Sequence, residues 1–162
     1  MNATIHKRWN IVLILLLALT LAFIWGNSLI SREDSQGLSR GLLARLCALL
    51  NMMGLHINPE NDHWLRKLAH FGEFGLLGVE LCLLLWLNGH RSVQGFANGA
   101  FAGLAAAVTD EALQLLSHRG SQVKDVLLDF AGVLTGLLLC WLLCGIIERE
   151  RQKTGFQRRG MQ

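Results

Sequence analysis

An all-α integral membrane fold is what this chain predicts: a bundle of four transmembrane helices, with an interfacial amphipathic helix between the first and the second. Three observations carry the prediction. More than half of the 162 residues are hydrophobic (52%), and there is a single proline, Pro59. A one-domain chain of this size could keep so much apolar surface in water only by burying nearly all of it. The apolar residues also fall into separate blocks of membrane-spanning length. Finally, the blocks lack the alternation of period two that β-barrel spans require.

The first helix is expected at about 10–31. Its core, "IVLILLLALTLAFIWGNSLIS" (11–31), carries no charge. Basic residues precede it, as in a signal peptide, but the run is long and "FIWGNSLIS" offers no small-x-small cleavage site, so it reads as an anchor. Next comes "SQGLSRGLLARLCALLNMMGL" (35–55), in which Leu38, Leu42, Leu46, Leu49 and Met53 recur at helical spacing. That pattern reads as an amphipathic helix on the outer interface, or as one packed over the bundle. The second transmembrane helix, about 66–87, opens on "KLAHFGEF" and has Glu80 as its interior charge. The third, about 96–117, is apolar and small until Asp110 and Glu111, and the fourth, about 125–147, carries Asp129. Residues 1–148 thus make one membrane domain, and the basic tail 149–162 is expected to be disordered.

Basic residues orient the bundle. Lys7, Arg8, Arg91, Arg149, Arg151, Lys153, Arg158 and Arg159 fall on one side, eight in all, against seven on the other. The totals nearly match, but the tail cluster is dense, whereas Glu33, Asp34, Glu60 and Asp62 offset the long 32–67 segment. Both termini are therefore read as cytoplasmic, in a bacterial inner membrane. Trp9 and Trp25 bracket the first span at a separation of about 24 Å of helix, close to the distance between two interfacial belts. The cysteines form no CxxC pair; Cys140 and Cys144, one turn apart in an apolar helix, read as small hydrophobes. The mild positive charge sits mostly at the termini and gives no sign of a nucleic-acid partner.

This topology gathers polar residues at one level. Lys67, His70 and Glu73 open the second helix from the outer side. Asp110, Glu111 and Gln114 end the third, and Asp125 and Asp129 open the fourth. The loop "SHRGSQVK" (117–124) with Arg119 and Lys124 lies beside them. Helical phase sets Lys67, His70, Phe71, Phe74 and Gly78 on one stripe. Gly99, Gly103, Ala106 and Asp110 form another, and Gly132 and Gly136 repeat small-xxx-small spacing below Asp129. Such acids face protein rather than lipid. Small faces on the third and fourth helices would also permit a homo-oligomer.

The ordered motifs resemble the VanZ-like family of small bacterial membrane proteins. They are "NSLISREDSQGLSR" after the first helix, "RKLAHFGEFGLLG" opening the second, "TDEALQLL" ending the third and "HRGSQVKDVLLDFAGVLTG" leading into the fourth. The resemblance runs from Trp25 to Gly136. Where that family has an acid this chain has Arg66, and where it often has asparagine this chain has Asp129. The resemblance implies a polytopic cell-envelope protein, with antibiotic resistance in view because the founding member is associated with resistance to teicoplanin. It implies no settled activity.

Three readings of the polar cluster stand. Arg66, Lys67, Arg119 and Lys124 nearly balance Glu73, Asp110, Glu111, Asp125 and Asp129, so ion pairs could staple the helices. An ionised group at mid-helix costs roughly 2.5–3.5 kcal/mol, however, which makes small apolar residues the easier staple. A metal centre would put His70 and Glu73 among facing carboxylates, but near-neutral charge speaks against it, and neither metal nor cofactor is expected. A ligand site explains more. Lys67, His70, Glu73, Asp110, Glu111, Gln114, Arg119, Asp125 and Asp129 would line it, with an envelope lipid or lipid-linked intermediate as partner. Lys67 and Arg119 would hold its phosphate or carboxylate, and Phe71 and Phe74 would cover its chain. Were the protein an enzyme, His70, Glu73, Asp110 and Glu111 are the candidate catalytic groups, with His70 as base. Glu80, about two turns deeper than Glu73, is either hydrogen-bonded to a neighbouring helix or part of a polar path inward.

Overall fold

The structure is a computed structural model, and it describes residues 3–29, 62–117 and 122–159. All regular structure among the described residues is α-helical: α1 (Ala3–Leu29), α2 (Asp62–Leu87), α3 (Val93–Leu116) and α4 (Val123–Arg159). The interfacial helix expected over 35–55 lies outside the described residues, as do Arg119 and the side chain of Arg66. Helices α1, α2 and α4 are long and apolar enough to cross a membrane. At 24 residues α3 has the length, but its small side chains and terminal acids leave it less apolar. α1 starts about two turns earlier than expected, because "ATIHKRW" contains no helix breaker. α4 runs past 147 to Arg159, so the expected disordered tail is helical in its backbone to that point. Nothing in "ERERQKTGFQRR" stops a helix but one glycine, and Lys153 pairs with Glu150 one turn back at 2.8 Å.

The helices run up, down, up, down. At one end the His6 Nε2–H donates to the Leu87 carbonyl (2.9 Å), and Asn10 and Asn88 exchange amide hydrogen bonds. Arg91 pairs with Glu148 at the same end. At the other end Ser28 meets Asp110, and Lys67 meets Asp125. Between α2 and α3 the chain reverses in a few residues. Gly89 takes φ +80, His90 N–H bonds the Leu85 carbonyl, and Gly89 N–H bonds that of Trp86. This pairing satisfies carbonyls that the end of α2 leaves open. Ser92 then caps α3 by accepting from the Gly95 N–H at 3.3 Å.

Glycine decides how the helices meet. α2 and α4 run parallel and share the most extensive interface in the bundle. A Cβ on Gly132 would lie 2.5 Å from the Phe71 carbonyl oxygen, and one on Gly136 would overlap that of Gly75. The two backbones touch at Gly75, Gly78, Gly132 and Gly136. On α3 the notches work differently: Val133 fills the space at Gly103, while Leu85 and Leu137 fill that at Gly99. The four glycines expected to serve a homo-oligomer, Gly99, Gly103, Gly132 and Gly136, are therefore buried within the chain. Ile24, Phe74, Leu77, Ala106, Ala107 and Val133 form the core next to the charged end. Phe74 is completely buried there, so it fills the bundle rather than covering a ligand's chain. Nearer the other end, Trp141 stacks edge-on against Trp86 and Phe96. Outward-facing leucines such as Leu15, Leu19, Leu139 and Leu143 stay exposed, as a lipid-facing surface requires.

Candidate functional site at the charged end of the bundle

Because α2 and α4 run parallel and in contact, their polar residues pair turn by turn. Lys67 Nζ lies 3.1 Å from Asp125 Oδ1, an ion pair whose angles miss those of a hydrogen bond. One turn deeper, His70 Nδ1 lies 3.9 Å from Asp129 Oδ1, too far for a hydrogen bond. That nitrogen is buried and has no hydrogen-bond partner among the described residues. Asp129 itself is 2% exposed.

α3 contributes two buried acids to the same level. Asp110 is held on both oxygens: Ser28 Oγ donates to Oδ1 at 2.6 Å, and Gln114 Nε2 donates to Oδ2 at 2.7 Å. Glu111 Oε1 accepts from the Gln122 backbone N–H at 2.5 Å and so serves the open N-terminus of α4. Its Oε2 is buried without a partner among the described residues. Asp110, Glu111, Asp125 and Glu73 all lie close enough to act on the charge of Asp129. Glu73 is half-buried beside His70 and Asp110.

Two of the four cations in the expected charge balance, Arg119 and the side chain of Arg66, lie outside the described residues. Lys124 is exposed at the start of α4. Among the described residues, Lys67 is the cation with a contact inside the cluster, and Asp125 engages it. Beyond that pair, His70 lies beside Glu73, Asp110 and Asp129. The ligand atoms of His70, Asp110 and Asp129 lie within 4.8 Å of one another.

The expected site residues Lys67, His70, Glu73, Asp110, Glu111, Gln114, Asp125 and Asp129 come together, while Arg119 lies outside the described residues. Two further residues belong to the arrangement. Ser28 is fully buried and fixes Asp110, and Thr20 Oγ1 donates to Glu80 Oε1 at 2.9 Å. Glu80 is thus hydrogen-bonded to a neighbouring helix, as one of its two readings expected. The signal for Ser28 and Thr20 is in the sequence. Thr20, Ile24 and Ser28 recur every four residues on one stripe of an otherwise apolar helix, which marks the face α1 turns to its neighbours.

Comparison with curated proteins and with solved structures finds no match. The model of the VanZ/LLP1 family matches residues 10–144, which take in α2 and α3 whole, parts of α1 and α4, and every described residue of the charged cluster. The chain is a membrane protein of the VanZ/LLP1 family.

Proposed function

We propose that the charged end of the bundle binds the polar headgroup of an envelope lipid or lipid-linked intermediate, in a four-span protein of the bacterial inner membrane. One observation carries this reading: Asp110 and Asp129 are held buried beside His70 at the mouth of the bundle, not at its lipid-facing surface. Burial of charge there is costly, and the amine or hydroxyl groups of a headgroup, donating to those carboxylates, would offset it. Lys67, and Arg119 from the adjoining loop, supply cations for a phosphate; Gln114 and Ser28 keep Asp110 in place.

Support for α3 as the fourth span comes from its reach. It packs against Trp141 through Phe96 near one end and against Ser28 through Asp110 at the other. Four crossings return both termini to one side, the cytoplasmic one by the basic tail, and turn the charged cluster outward. Reporter fusions after residue 90 and after residue 118 test this: activity only on opposite sides of the membrane is expected, and the same side for both overturns it.

The ligand test is mass spectrometry of lipid co-purified with the full chain, in wild type and in Asp110→Asn and His70→Ala. Enrichment of one headgroup class over the bulk membrane, lost in the variants, is expected. Wild-type lipid identical to bulk refutes the reading. Teicoplanin susceptibility of cells carrying the same variants reports whether binding reaches the phenotype. An enzymatic reading is favoured by one observation, the buried His70 Nδ1 without a hydrogen bond among the described residues, beside Glu73 and Asp110. A free imidazole nitrogen next to carboxylates is the arrangement of a general base. Conversion of the co-purified lipid by wild type and not by His70→Ala would support it.

A further inference from the structure

We propose that His70, Asp110 and Asp129 form a binding site for one divalent transition-metal ion of the Mn2+ or Zn2+ class. The three residues come from α2, α3 and α4, so the ion would tie three helices together at one level. Their ligand atoms, one imidazole nitrogen and two carboxylate oxygens, lie within 4.8 Å of one another. Ligands of a single ion with bonds of about 2.1 Å stand about 3–3.5 Å apart, so the 3.9 Å between His70 Nδ1 and Asp129 Oδ1 needs to close by about half an ångström. Mixed imidazole and carboxylate donors suit Zn2+ and Mn2+ rather than the all-oxygen preference of Ca2+.

One buried atom points to a ligand independently of the carboxylates. His70 Nδ1 is buried and has no hydrogen-bond partner among the described residues, in a setting where a donor–acceptor pair would be expected. Among the carboxylates, Glu111 Oε2 is in the same condition on a side chain only 5% exposed. The hydrogen bonds from Ser28 and Gln114 leave each Asp110 oxygen a lone pair and fix the direction in which it points.

A second group, Cys82, Cys140 and Cys144, brings its sulfurs within the same distance of one another deeper in the bundle, so the experiment has to separate the two. This proposal does not rest on the lipid reading, and the two fail separately: lipid without metal sinks only the metal site, and metal without enriched lipid sinks only the lipid site. The full chain, purified in detergent and freed of metal by chelation, is titrated with Mn2+ and followed by electron paramagnetic resonance. About one Mn2+ per chain is expected, with nitrogen coupling from one imidazole. His70→Ala should abolish that coupling and weaken binding about tenfold or more, and Asp129→Asn and Asp110→Asn should weaken it similarly. Cys82→Ser/Cys140→Ser/Cys144→Ser should keep the site, and helicity by circular dichroism should match wild type in every variant. Failure of folded wild type to bind Mn2+ or Zn2+ above a detergent blank overturns the proposal. Binding that survives both His70→Ala and Asp129→Asn overturns it equally.

Discussion

Replacing Gly132 with alanine should push α2 away from α4 and destabilise the bundle by about 2 kcal/mol. The added Cβ would stand 2.5 Å from the Phe71 carbonyl oxygen, 3.2 Å from its carbon and 3.3 Å from the Gly75 nitrogen. Real Cβ contacts essentially never fall under 3.0 Å, and the offending atoms are backbone, which has no rotamer to change. The helices must therefore separate by at least about half an ångström along their largest interface. In a bilayer, where the lipid is as apolar as leucine, close packing is a main source of helix association, so the loss is not recovered elsewhere. Gly136→Ala, whose Cβ would overlap the Gly75 carbonyl, should cost more, about 3 kcal/mol. Gly72→Ala is the control: a Cβ there meets nothing within 4 Å, and the better helix propensity of alanine should leave stability unchanged or raise it by up to about 1 kcal/mol. Reversible unfolding in mixed micelles, followed by far-ultraviolet circular dichroism, measures all three. Equal midpoints for Gly132→Ala and Gly72→Ala would refute the glycine-contact reasoning.

Three further outcomes follow from the same structure. Ser28→Ala strips a hydrogen bond from fully buried Asp110 and should cost about 1–3 kcal/mol in the same unfolding assay, with Ser28→Thr closer to wild type where its hydroxyl can still reach. A double-mutant cycle on Thr20→Val and Glu80→Gln should return a coupling of about 0.6–1.7 kcal/mol, the range for polar pairs between membrane helices; zero coupling would mean the bond is not made. Arg91→Ala at the opposite end removes an exposed ion pair with Glu148 and should change stability by less than about 1 kcal/mol, a difference that vanishes in high salt.

Most of the cluster was legible before any coordinates, for a physical reason. A charge in a hydrophobic run cannot face hydrocarbon, so His70, Glu73, Asp110 and Asp129 announce an inward face wherever they occur. Helical phase then groups Gly99, Gly103, Ala106 and Asp110 without reference to any partner, and the structure buries all four. One reading went astray because it depended on a partner. Phe74 shares a stripe with His70, yet it packs into the core, since a stripe says which residues face inward and not what they meet there.

By itself, then, the sequence determines that the chain lives in a membrane as a set of apolar helices and that its acids gather at one end. Transfer energetics act residue by residue, and helical periodicity is local. Which helices touch, and how closely, is not local. Only the tertiary structure decides that α2 and α4 run backbone to backbone, because that contact depends on glycines on both helices falling in register. The same register sets Lys67 against Asp125 and His70 against Asp129, and it brings Asp110 to them from α3 with Ser28 behind it.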